Sequence, residues 1–498
     1  MTNIYVFSQN VKLDSFEKVS CKEPDDNNIF LTTHMLFDYE KEKVRSLFHN
    51  CTFLKFADFL SDSDNARCDF DAYDRDITTG EYYSRIKRMK NQLIAERIVQ
   101  RYPIYSGYLC ADDLGIDATV WEKYSFKPIA MEYFYEHPSE TTNFKKELKR
   151  ILKKSTTLRK INNTLKEKKA IKSVTDEIYV ANDENKKYIF IGKMSRVAYR
   201  MGLSWQKSDE EFQKIRNGKF ESKEKCQYLT SLHESMKCVV PDKPWYDVRY
   251  IQDGYLPPNY SSRYLKYKPK NVSYYSWDEL GKRTFEYHDL MVDIMPFRKK
   301  LYMPNPIFKE NIKNILVATS GPGDWTAQKN RSDEDLMLQA FVEVAKQMPN
   351  VHIVYRCHPT WVHPEHAGVN SINRAAEYIQ STGLVNITVS TNIPKENMSS
   401  FVLSFSRGSL EEDLKNADMV FGEHSVSMID GAFQHIPFAS VNLTNRRDLF
   451  CGLTEMGFPH CTSVKEIIEV INKYNSPDFK KNYSQAVDKY NKMTDIEE

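Results

Sequence analysis

Short apolar runs recur along the chain, separated by stretches with helical periodicity. In the first 140 residues Ile4–Phe7, Ile29–Thr32, Thr52–Phe56 and Ile104–Cys110 read as strands. Tyr82–Tyr102 sets Ile86, Met89, Leu93, Ile94, Ile98 and Val99 on one face, which predicts a long amphipathic helix. Lys187–Ile191, closed by Gly192 and followed by a helical Met194–Met201, predicts a further strand–helix unit. From residue 306 the pattern is clearest. Strands are expected at Asn314–Thr319, Val351–Arg356, Asn386–Ser390, Met419–Phe421 and Phe438–Leu443. Helices are expected near Ser332–Gln347, Ile372–Ser381, Leu410–Asn416 and Ser425–Phe433. Ser332-Asp333-Glu334-Asp335 has the form of a capping box, and Ser463 with Glu466 starts a closing helix, Val464–Tyr474, in the same way. β-branched strands alternating with helices at this pitch predict an α/β fold with parallel, doubly wound sheets. The expected division is two α/β domains in tandem, 1–305 and 306–475, with a polar stretch 476–498 as a loosely packed tail or a return helix.

Size and charge narrow the class. With 498 residues, 41% hydrophobic and 13% aromatic, the chain can bury large cores. A formal net charge of +2 gives no general argument for nucleic acid. No apolar run approaches the roughly 20 residues that span a bilayer, and MTNIYVFSQN reads as a first strand rather than a leader. Nine cysteines without a CxxC pair fit reduced thiols in a cytoplasmic protein. One segment departs from the rest. Residues 144–172 hold twelve Lys and Arg against Glu147 and Glu167, with Phe144, Leu148, Ile151, Leu152, Leu158 and Leu165 at near-helical spacing. A basic amphipathic helix suits an anionic membrane surface. A solvated helical face and a strip for an anionic polymer are the other readings.

Candidate chemistry gathers where strands are expected to end, the ligand edge of an open α/β sheet. After Thr319 comes Ser320-Gly321-Pro322-Gly323-Asp324, a loop whose backbone N–H groups could meet a phosphate. It lacks the Gly-Lys-Ser/Thr of a Walker loop, and no dinucleotide fingerprint is present. After Tyr355 comes Arg356-Cys357-His358-Pro359, where His358 can donate to the phosphate of a leaving nucleotide. After Phe421 the turn Glu423-His424-Ser425-Val426-Ser427 opens a helix carrying Asp430, an anion site at a helix N-terminus, with Asp430 a partner for sugar hydroxyls. The alternative is an ordinary crossover with a serine cap. Asp112 and Asp113 follow the strand ending at Cys110, either at a ligand crevice or as a solvated turn. Asp253, before Gly254, lies in the aromatic and proline-rich stretch Val239–Tyr260, where surroundings could tune a carboxylate, although Asp-Gly is also a common turn. His358, His363 and His366 are interrupted by Pro359 and Pro364, and no thiol pair lies nearby, which argues against zinc. Donors of this kind can stabilise a single phosphate without a metal, so no cofactor is expected.

Three ordered features, Ile251-Gln252-Asp253-Gly254-Tyr255-Leu256, His358-Pro359 and the Ser425/Ser427 turn, resemble the motifs of bacterial glycosyltransferases that use CMP-activated keto-acid sugars. These are the capsule and O-antigen Kdo transferases and the bacterial sialyl- and polysialyltransferases. The resemblance covers about Val239–Cys461, and Asp448-Leu449-Phe450-Cys451-Gly452-Leu453-Thr454 is nearer the Kdo group. Such families usually carry an acidic pair before the glycine; here Gln252 replaces the first acid. The resemblance implies a GT-B or GT-B-like fold, two Rossmann-like domains facing across a cleft. The N-terminal domain would hold a glycan or glycolipid acceptor of capsule, O-antigen or lipooligosaccharide synthesis, and the C-terminal one the CMP-sugar. It implies donor binding by His358, Pro359, Ser425 and Ser427, and chemistry by Asp253. Ser320, Gly321, Gly323, Asp324, Arg356, Glu423 and Asp430 complete the expected donor set, with Asp113 a second candidate catalytic carboxylate. Asp253 would be a nucleophile in a retaining Kdo transferase or a general base in an inverting sialyltransferase. The expected location is cytoplasmic, peripheral to the inner membrane, with no nucleic-acid partner. A CDP-glycerol-type phosphotransferase and a non-catalytic glycan- or nucleotide-binding module remain as alternatives.

Overall fold

The computed structural model describes residues 2–19, 26–72, 79–110, 115–133, 178–192, 194–217, 219–231, 247–252, 273–286, 291–295, 297–299, 302–319, 332–358, 368–391, 406–407, 409–423, 425–443 and 452–494. Three sheets build these residues. The first comprises β1 (Thr2–Phe7), β2 (Asn27–Thr32), β3 (Cys51–Lys55), β4 (Ser106–Cys110) and β5 (Phe126–Pro128). Its order is β3-β2-β1-β4-β5, parallel at every pairing. The second contains β6 (Ile178–Asp183), β7 (Lys186–Ile191), β8 (Gln206–Lys207), β9 (Cys226–Ser231), β10 (Asp247–Ile251), β11 (Ser273–Ser276) and β12 (Asp293–Ile294). Here β7, β9, β10, β11 and β12 are parallel, and β6, antiparallel to both β7 and the edge strand β8, closes one side. The third has β13 (Asn314–Ala318), β14 (His352–Arg356), β15 (Ile387–Thr391), β16 (Ser406–Arg407), β17 (Met419–Gly422), β18 (Phe438–Val441) and β19 (His460–Cys461), in the order β16-β15-β14-β13-β17-β18-β19.

The expected α/β class holds, and two of the sheets carry doubly wound order. The apolar runs form these strands because both faces of a parallel sheet are covered by helices. In β13, Ile315, Leu316, Val317 and Ala318 are all buried, and in β17 so are Met419, Val420 and Phe421. Glycine permits the close layer packing. A Cβ on Gly431 would stand 3.0 Å from Val420 Cγ2, so the Val426–Phe433 helix lies hard against β17.

One compact unit gathers Met1–His137, Asn259–Ser261 and Pro304–Val487; a second gathers Pro138–Pro258, Ser262–Met303 and Asp488–Glu498. The stretch 1–305, expected as one domain, is thus shared between them. Within the first unit, the connection after β2 enters the core of the third sheet's helical layer. Phe37 stacks on Tyr378 with ring centroids 4.1 Å apart, and Arg374 forms a buried ion pair with Glu40 at 2.8 Å. Of the two expectations for the polar C-terminal stretch, a loosely packed tail or a return helix, the helix is found: Pro477–Thr494 is helical and buries Tyr483, Ala486, Val487 and Tyr490. These four residues make a narrow stripe that the lysine-rich composition conceals, and the Tyr483 hydroxyl accepts from the Phe438 N–H at 2.8 Å. Among the described residues no helix is long and apolar enough to cross a membrane.

Candidate functional site

The third sheet reverses its winding between β13 and β17, because successive strands run outward from β13 to β16 and then from β17 to β19 on the other side. The crevice outside the carboxyl ends of two such strands is where open α/β sheets take ligands. Three adjacent strands deliver their following residues to this edge: Thr319 from β13, Cys357 and His358 from β14, and Glu423 and Ser425 from β17.

Thr319 organises the first two. Its buried hydroxyl donates to the Arg356 carbonyl at 3.0 Å and accepts from the His358 N–H at 2.9 Å. The backbone of His358 is therefore held by the end of β13 while its side chain remains half-buried. Arg356 is turned to another task. Its guanidinium pairs with Asp413 and donates to Ser390 Oγ at 3.1 Å, and Ser390 donates to Asp413 at 2.5 Å. Asp413 lies on the Leu410–Asn416 helix, which Ser409 and Glu412 start with a reciprocal capping box. This buried triangle ties the ends of β14 and β15 to that helix.

Ser425 caps the Val426–Phe433 helix, accepting from the Ser427 N–H at 3.3 Å, while its carbonyl accepts from Met428 N at 3.1 Å. The helix N-terminus thus opens on the sheet edge with its positive dipole end toward any anion there. Glu423 and Ser425 are buried, whereas Ser427 and Asp430 are half-buried on the helix. The tight turn depends on Gly422. A Cβ there would stand 2.9 Å from Met428 Sδ and 3.0 Å from the Ala318 carbonyl, and the second of these belongs to the neighbouring strand and cannot yield cheaply. Gly422→Ala is expected to destabilise the protein by about 1–3 kcal/mol through overpacking; an unchanged thermal melt would show that the strand pair tolerates the methyl group.

Of the residues singled out from the sequence, Arg356, His358, Glu423 and Ser425 come to one sheet edge, with Ser427 and Asp430 on the helix that follows. Asp113, Asp253, Ser320, Gly321, Gly323, Asp324 and Pro359 lie outside the described residues, as do Asp112, Gly254, His363, His366 and the basic segment 144–172. Sequence reading overlooked Thr319, Ser390 and Asp413. A threonine directly after a buried strand and before a glycine-rich loop was a usable signal for the first; nothing local marks the other two as partners of Arg356. No group of three or more His, Cys, Asp and Glu side chains suited to a metal ion gathers among the described residues.

No protein-family model and no curated protein matches the sequence. Solved structures give distant likenesses. One is the glycosylation-associated Gap123 complex of Streptococcus agalactiae, at 10% identity and a TM-score of 0.29, over 61% of this chain and 60% of that one. Another is TarM of S. aureus, solved with fondaparinux, α-GlcNAc-glycerol and UDP, at 8% identity and a TM-score of 0.37, over 99% of this chain and 97% of that one. A third is CalG4, the calicheamicin glycosyltransferase, at 8% identity and a TM-score of 0.23, over 98% of this chain and 93% of that one. The chain spans about three fifths of the Gap123 chain it matches. At these TM-scores the likenesses add nothing to the architecture, which rests on the strand order of the chain's own sheets.

Proposed function

We propose that the chain is a metal-independent glycosyltransferase of GT-B type that transfers Kdo from CMP-Kdo to a bacterial surface glycan or glycolipid. The observation that carries this reading is the Ser425-capped helix N-terminus at the β13–β17 switch point, on the same sheet edge as the backbone-anchored His358. A nucleotide phosphate placed there meets a positive helix end, a serine hydroxyl and an imidazole, the donors that a departing cytidylate requires. Asp253 supplies the carboxylate that faces a positive, oxocarbenium-like sugar. In a retaining reaction its oxygen bonds to the anomeric carbon as the C–O bond to phosphate breaks. The acceptor hydroxyl oxygen then bonds to that carbon as the ester bond to Asp253 breaks, and its proton passes to water. In an inverting reaction, the alternative with CMP-sialic acid, Asp253 takes the acceptor proton directly. The basic segment 144–172 holds the enzyme at the anionic inner face of the membrane.

Thermal-shift measurements with CMP, CDP, UDP and GDP test the donor site. CMP at about one hundred times its dissociation constant is expected to stabilise the chain by about 2.7 kcal/mol, and His358→Ala or Ser425→Ala to remove most of that shift. Preference for UDP, the nucleotide in the TarM crystal, or for GDP would end the keto-acid-sugar reading. Release of CMP from a CDP-linked donor with no sugar transferred would favour the phosphotransferase.

A further inference from the structure

In the second sheet, β10 and β11 run parallel in the register Ile251 to Tyr275. The next bond of the ladder is made normally, with the Gln252 N–H donating to the Tyr275 carbonyl at 3.0 Å. A parallel ladder then continues with the following N–H of β11's chain, that of Trp277, donating to the backbone carbonyl of residue 252. It does not do so here. The Trp277 N–H donates instead to Oε1 of the Gln252 side chain, at 3.0 Å. The carboxamide takes the place of its own backbone carbonyl, so the ladder ends on a side chain.

The surroundings are built to hold this substitution. Gln252 is 1% exposed, and Trp277 and Asp278 are buried beside it. Asp278 accepts from the Gly281 N–H at 2.7 Å and its carbonyl accepts from Lys282 N and from Ser276 Oγ, which sets the start of the Glu279–Glu286 helix. Gly281 makes room for the amide, since a Cβ there would lie 2.0 Å from Gln252 Oε1 and 2.9 Å from Nε2. The Trp277 donor also fixes which end of the amide is oxygen. Nε2 is left buried with no acceptor among the described residues.

We propose that Gln252 is a positioning residue for the reaction: its carboxamide ends the β10–β11 ladder at the position directly before Asp253 in the sequence. The inference rests on the reading that Asp253 carries the chemistry. It also gives a role to the one position at which the sequence departs from the acidic pair of the transferases it resembles.

The test uses the full chain and two readouts. Amide hydrogen exchange reports the ladder end: Gln252→Leu is expected to speed exchange at Trp277 and in the peptide spanning 247–258, while Gln252→Glu, which keeps an acceptor oxygen, preserves Trp277. Steady-state release of CMP from CMP-Kdo, with water as acceptor, reports positioning. Gln252→Leu is expected to lose ~100-fold in kcat with KM for the donor changed less than about twofold, and Gln252→Glu to regain about tenfold of that loss. Gly281→Ala, a better helix former, should reproduce Gln252→Leu by displacing the amide, which guards against reading a folding failure as a positional one. Faster Trp277 exchange with unchanged kcat per folded molecule would overturn the proposal, as would unchanged exchange in Gln252→Leu. A wild-type chain that releases no CMP from CMP-Kdo or CMP-sialic acid would instead overturn the functional reading and the positioning role with it, while the exchange arm would still decide the ladder end.

Discussion

Arg374→Met is expected to lower the stability of the chain by about 3–5 kcal/mol, because it leaves Glu40 as a buried carboxylate without its cation. Arg374 and Glu40 have side chains only 5% and 6% exposed. Two charge-assisted bonds join them, Nε to Oε1 at 2.8 Å and a terminal nitrogen to Oε2 at 2.9 Å, and the same nitrogen donates to the Met35 carbonyl at 2.8 Å. Burial alone would lower the guanidinium's pKa; Glu40 and Asp335 more than offset this and leave it raised, so the group stays charged. Its plane also lies over the Phe37 ring, 5.0 Å from the centroid. Glu40 in turn accepts from the Phe37 N–H at 2.8 Å, so the pair is fastened to the start of the Asp38–Arg45 helix. The consequence is that a segment of the first sheet's layer shares a core with the third sheet. Urea denaturation gives the value directly. A double variant, Arg374→Met with Glu40→Gln, should cost less than the sum of the two singles, since the stranded charge is gone. A single-variant loss below about 1 kcal/mol would mean that the ring stack and apolar contacts, rather than the ions, hold this junction.

Asp253→Asn is expected to lower turnover of CMP-Kdo by about 10²–10⁴-fold, the range for removing a positioned proton-transferring or attacking group, while leaving CMP binding intact. The separation follows from the proposed division of labour. In that proposal the phosphate is stabilised by the Ser425 helix and His358 and the chemistry is done by Asp253, so a nucleotide thermal shift should survive the substitution. Intact-mass measurement discriminates further. A wild-type chain carrying one added Kdo residue after exposure to CMP-Kdo, absent in Asp253→Asn, would identify a nucleophile and a retaining reaction. Loss of activity with no adduct under any condition would favour the general base. Full activity in Asp253→Asn would remove this residue from the chemistry and turn attention to Asp113.

Most secondary structure of the third sheet was legible from local pattern. A parallel strand covered on both faces must be apolar along its length, and a helix must find acceptors for its first N–H groups, so β13, β14 and β17 and the Ser425 and Ser463 caps were visible as short-range signals. The turn after Phe421 was likewise readable, since a glycine, small polar residues and a following helix describe it within a few positions. Tertiary structure decided what was done with these pieces. Arg356 ends an expected strand among the candidate donor residues, but that its guanidinium meets Ser390 and Asp413, 34 and 57 residues away, is encoded by no local pattern. The same holds for Thr319 gripping His358, for Glu40 meeting Arg374 across 334 residues, and for Gln252 spending its side chain on a ladder bond that its backbone would ordinarily make. Periodicity reports which face of an element is buried; which element covers it, and which charge finds which partner, depends on chain crossings that only the folded chain creates.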